Sequence, residues 1–202
     1  MTLTETPICN LGEKAKSFDL LSAANKKISL NDIKGENGTL IMFICNHCPY
    51  VKAVVKDIVE DTKYLETLGI KSVAIMSNDV KILESLGIKS AAIMSNDVKN
   101  YPEDSFENMI AFSKLHNFSF PYLIDETQKI AKEYGAVCTP DFFGYNKNLE
   151  LQYRGRIREL KNLKPVGKGN SDLRIAMQLI ATSGKGPKNQ IPSMGCNIKW
   201  FK

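Results

Sequence analysis

TLIMFICNHCPYVKAVV (39–55) joins a run of apolar residues to two cysteines and then to a helical pattern. Residues 39–45 are almost continuously apolar, which is typical of a strand buried on both faces of a parallel sheet. Over 48–68 the apolar residues recur at helical spacing, and Pro49 falls in the first turn, where a missing N–H costs nothing. The stretch therefore predicts a buried strand that leads through the two cysteines into a helix.

Strands and helices alternate along the rest of the chain. A hairpin is predicted at 18–21 and 27–30, and a second hairpin at 141–145 and 149–154. Helices are predicted at 104–115, at 126–134 and from Ser171 onward, the last with Ile175, Leu179 and Ile180 on its apolar side, and a strand is predicted at 120–125. This order indicates a single α/β domain over 1–202 with a mixed sheet. Residues 183–202 are rich in Gly and Pro, so we expect an irregular C-terminal tail.

One segment of the chain is duplicated. KYLETLGIKSVAIMSNDV (63–80) is followed at once by KILESLGIKSAAIMSNDV (81–98). Eighteen residues are five helical turns and an even number of strand positions, so the repeat leaves both periodicities in phase. A fold could loop one copy out or add a short strand–helix pair, and the pattern favours the pair. We interpret the repeat as a tolerated insertion, natural or engineered, without a function of its own.

Cys45 and Cys48 form a C-x-x-C pair that also contains His47. A thiolate at the start of a helix faces unpaired backbone N–H groups and the positive end of the helix dipole, and a protonated His47 adds positive charge. Such surroundings lower a cysteine pKa from about 8.5 to about 3.5–7.5, which predicts a reactive Cys45 at neutral pH. Cys48 lies one helical turn further on, so it can attack a mixed disulfide and release the product.

A second candidate element is Thr139-Pro140, directly before a predicted strand. An X-Pro bond adopts the cis form at little cost. Placed against the two cysteines, the Thr139 backbone would offer N–H and C=O groups to a substrate peptide. The alternative is an ordinary trans-proline loop.

These elements resemble the thioredoxin superfamily, and the N-terminal hairpin is similar to its peroxiredoxin branch, the AhpC/TSA-like proteins. More narrowly, five segments resemble a family of bacterial thioredoxin-like redoxins: CNHCPYVKA (45–53), YPED (101–104), FPYLIDETQKIAKEYGA (120–136), YRGRI (153–157) and PSMGCNIKW (192–200). The resemblance implies a three-layer α/β/α sandwich and a thiol-disulfide oxidoreductase. His47, directly before the second cysteine, is also similar to the histidine of protein disulfide isomerases, which implies a redox couple more oxidising than that of thioredoxin at about −270 mV.

The resemblance assigns roles to particular residues. It implies that Cys45 is the nucleophile, Cys48 the resolving cysteine and Pro140 a cis-proline. Protein or small-molecule disulfides would be the substrates and a reductase the electron donor, with no cofactor beyond the Cys45–Cys48 disulfide itself. In this chain Thr39 replaces the buried acid that thioredoxins carry in the active-site strand, which leaves the proton acceptor for Cys48 open.

Two further cysteines are candidate accessory thiols. Cys138 precedes Pro140 by two residues and could trap disulfides or simply pack in the core. Cys196 lies in the tail and could be an extra resolving thiol or could pack with Trp200 against the domain.

Two other functions compete with disulfide exchange. A peroxiredoxin-type peroxidase would carry an activating Pro and Thr before its cysteine, but Gly38 and Met42 stand at those positions. A metal-binding or redox-sensing module could use the C-x-x-C with His47, but structural zinc requires four ligands and the sequence offers no second pair, so we expect no metal.

Composition excludes several classes of partner. The net charge of +5 is mild and no basic run occurs, so we expect no nucleic-acid binding. No apolar run approaches the length that spans a bilayer, and the first residues lack a secretory signal pattern, so we expect a cytoplasmic protein without membrane contact. The five cysteines are then more suited to catalysis than to structural disulfides.

Overall fold

The architecture comes from a computed structural model that describes residues 3–7, 9–67 and 88–201. Its helices are α1 (Pro49–Thr67), α2 (Phe106–Leu115), α3 (Lys129–Tyr134) and α4 (Asp172–Ser183), and a 3₁₀ turn at Pro102–Asp104 precedes α2. Its strands are β1 (Leu3–Glu5), β2 (Asp19–Ser22), β3 (Lys27–Ser29), β4 (Gly38–Phe43), β5 (Ile88–Met94), β6 (Tyr122–Ile124), β7 (Cys138–Thr139), β8 (Asp141–Asn146), β9 (Leu151–Arg154), β10 (Leu160–Lys161), β11 (Lys164–Pro165) and β12 (Met194–Asn197).

The described strands form a large mixed sheet in the order β3-β2-β6-β5-β4-β8-β9. β4 is central and lies parallel to β5 and antiparallel to β8, and β5 lies parallel to β6. Both predicted hairpins are present, as the antiparallel pairs β2–β3 and β8–β9. The predicted mixed sheet with an N-terminal hairpin is therefore confirmed.

Each face of the sheet is covered by its own hydrophobic core. Along β4, Leu40 and Met42 face the core that α1, α2 and α4 complete, whereas Ile41 and Phe43 face the core that α3 completes. This alternation follows from the period of two along a strand. Since all six residues of β4 are buried, the continuous apolar run was the correct signal for this strand.

The two copies of the duplicated segment contribute different parts to the described structure. The first copy begins within the last turns of α1, and the second copy supplies β5, which fills the sheet between β4 and β6. The expected extra strand–helix pair falls within 68–87, outside the described residues. The second copy thus supplies both β5 and the first residues of the loop at 95–101 that follows it.

The C-terminal segment differs from the expected irregular tail. After α4 the chain runs without regular structure to Ser193, but Met194–Asn197 then forms β12 between β1 and β7. Gly195 makes this pairing possible, because a side chain at that position would overlap the Thr139 carbonyl oxygen. The glycine that suggested irregularity instead permits close strand contact.

Part of the amphipathic pattern of α4 was misassigned. Ile180 is buried as predicted, but Ile175 and Leu179 are 51% and 39% exposed, and Ala176 and Met177 face the core in their place.

Among the described helices, none combines the length and the apolar character needed to span a lipid bilayer.

Candidate redox site

The two cysteines of the C-x-x-C pair meet Thr139 at the start of α1. Cys45 Sγ lies 3.2 Å from Thr139 Oγ1, and Cys48 Sγ lies 3.1 Å from the Thr139 carbonyl oxygen, to which it donates only when it is protonated. The Thr139–Pro140 peptide bond is cis. Cys45 and Cys48 are both almost fully buried, at 1% and 0% exposure. The structure therefore brings the two cysteines together with the Thr139–Pro140 pair, which lies at least 91 positions further along the chain.

The pKa values of the pair differ from the sequence-based expectation. A hydrogen bond from the Cys45 thiol to Cys48 Sγ raises the pKa of Cys45, and burial raises it further. The same hydrogen bond lowers the pKa of Cys48 to about 5, against the effect of burial and with help from the Val51 backbone N–H. We expected the lowered pKa at Cys45, but α1 begins at Pro49, so Cys48 and not Cys45 occupies the capping position.

His47 is held by a buried carboxylate that sequence analysis did not assign to the site. Asp104 Oδ2 accepts from His47 Nδ1 at 2.6 Å and from Asn96 Nδ2 at 2.8 Å. Asp104 Oδ1 accepts from the backbone N–H groups of Asn46 and His47 at 2.7 and 3.2 Å. One carboxylate thus fixes both the backbone and the imidazole of the C-x-x-C loop. The YPED motif marked this position, but nothing in its spacing identified the partner.

A second layer of contacts fixes the same loop from the sheet side. The buried hydroxyl of Tyr122 donates to Asn46 Oδ1 at 2.9 Å, and Asn46 Nδ2 donates to the Glu103 carbonyl at 3.2 Å. The His47 ring stacks on Tyr101 with 5.8 Å between ring centroids. Asn96 belongs to the second copy of the duplication, and its Oδ1 accepts from the Lys199 backbone N–H at 2.8 Å.

The contact between His47 and Asp104 makes the site pH-dependent. The hydrogen bond to Asp104 raises the pKa of His47, although burial opposes it. Burial raises the pKa of Asp104, but hydrogen bonds from His47 and Asn96 outweigh it and leave that pKa below its usual range. The pair's contribution to stability is therefore lost at high pH as His47 loses its proton, and at low pH as Asp104 gains one.

The chain contains only two histidines, which allows a direct test. Burial, together with the charge of Lys56, lowers the pKa of His116. We expect a proton NMR titration to show two imidazole midpoints on opposite sides of about 6.5, the higher one from His47. A His116→Gln variant assigns the signals. Equal midpoints would contradict the Asp104 contact.

Of the two candidate accessory thiols, the structure brings only one to the pair. Cys138 lies opposite Asn197 in the β7–β12 pairing, whereas Thr139 lies opposite Cys196. Because side chains alternate along a strand, Cys138 points away from the face that carries Thr139 and Cys196. Burial raises the pKa of Cys138, and its thiol donates to the Pro140 carbonyl at 3.8 Å. Its environment is that of a packing residue.

A buried ion pair follows the cis-proline directly. Arg154 Nη2 lies 2.9 Å from Asp141 Oδ2 and also donates to the Gly135 carbonyl at 2.7 Å, and the guanidinium covers the Phe143 ring. Burial raises the pKa of Asp141 to about 6 against the effect of Arg154. The Arg154 side chain thus fixes the start of β8 behind Pro140.

A cavity of about 370 Å³ opens on the other side of the cis-proline. Tyr50 and Pro140 line it next to the pair, and the exposed apolar residues Leu163, Ile191 and Met194 continue its wall. The cavity thus shares Pro140 with the redox site.

One cluster in the described residues has the composition of a metal site. A ligand atom from each of Cys45, His47 and Asp104 lies within 4.8 Å of the others. Both Asp104 oxygens are already engaged by the hydrogen bonds from Asn46, His47 and Asn96. In the observed geometry this carboxylate orients the C-x-x-C loop.

Comparison with known proteins agrees with this geometry. The sequence pattern of the AhpC/TSA family matches residues 11–160. An uncharacterized conserved protein from Geobacillus kaustophilus is 35% identical, with a TM-score of 0.86 over 100% of this chain and 97% of that one. A hypothetical protein from Sinorhizobium meliloti 1021 is 31% identical, with a TM-score of 0.80 over 98% of both chains. A search of the curated proteins found no match.

A more distant neighbour supports the fold. The thioredoxin domain of a thiol-disulfide oxidoreductase from Bacteroides vulgatus is 11% identical, with a TM-score of 0.55 over 77% of this chain and 91% of that one. The predicted thioredoxin-like fold is therefore confirmed. The full-length matches and the family pattern lead to one conclusion: the chain belongs to the AhpC/TSA family and is a redoxin of the thioredoxin-like superfamily.

Proposed function

We propose that this oxidoreductase is a thiol-disulfide oxidoreductase that cycles between a Cys45–Cys48 dithiol and a Cys45–Cys48 disulfide. The observation that carries the proposal is the hydrogen bond between the two thiols, with both of them on Thr139 beside a cis-proline. Cys45 is the nucleophile and Cys48 the resolving cysteine. Thr139 and Pro140 bind the substrate backbone.

Cys48 supplies the base that the active-site strand lacks, because it accepts the proton of Cys45. Thr39 stands where an acid was expected, and its hydroxyl accepts from the Gly35 N–H at 3.2 Å, away from the thiols. In the reduced pair Cys48 is the thiolate and Cys45 the donor. As Cys45 Sγ attacks a substrate disulfide, its proton passes to Cys48, and one substrate sulfur leaves as a thiolate. Cys48 then attacks Cys45 Sγ, and the second substrate thiol leaves with the proton.

The cavity beside Pro140 indicates the kind of substrate. Its apolar wall fits a polypeptide or a small molecule with apolar groups next to the disulfide. The redox centre is nearly buried, so reaction requires the substrate to lie directly against the Thr139–Pro140 edge. A reductase would return the disulfide to the dithiol after each cycle.

The function can be tested with two oxidised substrates in parallel. The reduced protein is supplied with insulin and dithiothreitol, and separately with hydrogen peroxide and the same thiol. We expect catalysed insulin reduction at a rate well above peroxide turnover. With the Cys48→Ser variant, insulin chains should remain attached to Cys45 and be recovered by peptide mapping. Peroxide turnover faster than insulin reduction, with a sulfenic acid on Cys45, would instead support a peroxidase.

A further inference from the structure

Cys196 lies against the redox pair through the strand that the sequence did not predict. β12 places Cys196 directly opposite Thr139, the residue that both cysteines of the pair contact. Cys196 is 3% exposed and belongs to the same hydrophobic core as Cys45 and Cys48. The three thiols therefore surround one side of Thr139.

Cys48 accepts hydrogen bonds from Cys196 as well as from Cys45. The Cys196 thiol and the Cys196 backbone N–H both donate to Cys48 Sγ. Burial raises the pKa of Cys196 to about 12, and donation to Cys48 contributes to the rise. Cys48 thus lies between two thiols, each of which is a potential disulfide partner.

Hydrogen bonds before and after Cys196 in the chain fix its position. Ser193 Oγ donates to the Pro140 carbonyl at 2.6 Å, and the Ile198 N–H donates to the Val137 carbonyl at 3.0 Å. Gly195 brings the two strands close, as described above. The thiol is therefore held at Cys48 by an ordered strand paired on both edges.

We propose that Cys196 is a third redox-active thiol and exchanges with Cys45 as the disulfide partner of Cys48. The step rests on the proposed function, which supplies the Cys45–Cys48 disulfide. The Cys196 thiolate attacks Cys48 Sγ, a Cys48–Cys196 bond forms, and the Cys45–Cys48 bond breaks. Cys45 leaves as a thiolate and takes the proton that Cys196 gave up, so no outside oxidant or reductant is needed.

Oxidation of the pair itself favours this exchange. In the reduced site the hydrogen bond to the Cys48 thiolate keeps the proton on Cys196. When Cys48 enters a disulfide with Cys45, that negative charge disappears, so Cys196 loses its proton more readily. The exchange retains the oxidised state on Cys48 and Cys196 and frees Cys45.

The test uses the Cys45→Ser variant, in which Cys48 has lost its usual partner. The variant is equilibrated with oxidised and reduced glutathione, quenched with N-ethylmaleimide and mapped by mass spectrometry. We expect a Cys48–Cys196 disulfide in more than half of the oxidised molecules. Adding Cys138→Ser should leave it unchanged, whereas adding Cys196→Ser should replace it with glutathione on Cys48. Glutathione on Cys48 with Cys196 alkylated in the Cys45→Ser variant would overturn the proposal.

A second readout uses the oxidised wild-type protein. Cys45 should react with N-ethylmaleimide in a measurable fraction of molecules, and Cys196→Ser should reduce that fraction at least fivefold. An unchanged fraction would contradict the exchange. Insulin reduction without a Cys48–Cys196 bond would remove only this inference, whereas the bond without insulin reduction would support the thiol pairing and overturn the proposed function.

Discussion

Replacing Cys45 by serine is expected to lower the rate of insulin disulfide reduction at least about a thousandfold, which corresponds to about 4 kcal/mol of transition-state stabilisation. A serine hydroxyl does not ionise near neutral pH and cannot form the mixed disulfide. Cys48 retains the hydrogen bonds from Cys196 and Val51 that lower its pKa, but its Sγ faces the Thr139 carbonyl oxygen, so we expect it to attack an insulin disulfide far more slowly than Cys45 does. The measurement is the initial rate of insulin reduction with dithiothreitol as the reductant.

The matched control is Cys138→Ser. Cys138 is equally buried and one residue from Thr139, but it faces away from the pair. Its replacement should leave the rate within about twofold, and circular dichroism should show both variants folded. Persistent insulin reduction by the Cys45→Ser variant would show that the nucleophile is misassigned.

Replacing Asp104 by alanine should lower the free energy of unfolding by about 3–5 kcal/mol. The carboxylate is fully buried, and four donors would lose their acceptor: the N–H groups of Asn46 and His47, the His47 ring and the Asn96 amide. For a chain of this size the midpoint of thermal unfolding should fall by about 6–20 °C. Without the carboxylate, burial and the charge of Lys199 lower the pKa of His47 against only the smaller effect of Cys48, so this pKa should fall.

Glu103 provides the control for Asp104. It precedes Asp104 in the same 3₁₀ turn and is exposed, so Glu103→Ala should change the free energy of unfolding by no more than about 0.5 kcal/mol. Denaturant titration of both variants measures the difference. Equal losses in the two variants would mean that the carboxylate of Asp104 does not hold the C-x-x-C loop.

The parts of the site that follow from local sequence could be predicted. A buried strand produced a continuous apolar run before Cys45, and the proline after Cys48 marked the first turn of a helix. The hairpins and the positions of most helices follow from the same periodicities. These signals lie within a few residues of the structure they encode.

The parts that depend on partners far along the chain could not be predicted. Asp104 is 57 residues from His47, and its acidic side chain in a short turn is typical of a solvated charge. Cys196 meets Cys48 only because β12 pairs with β7, and the four residues of β12 carry a glycine and no strong strand pattern. The low pKa lies on Cys48 because Cys48 accepts hydrogen bonds from Cys45 and Cys196, and the periodicity of the sequence does not encode these contacts.

The pairing of β12 with both β1 and β7 has a consequence during biosynthesis. As the chain leaves the ribosome, the C-x-x-C loop and the Thr139–Pro140 edge emerge well before residues 194–197, which complete that sheet from its centre. Until they arrive, β7 presents an unpaired backbone edge next to two thiols. The nascent protein thus passes through a stage in which Cys45 and Cys48 lack the cover of Cys196 and its strand, and that stage ends when β12 adds to β7.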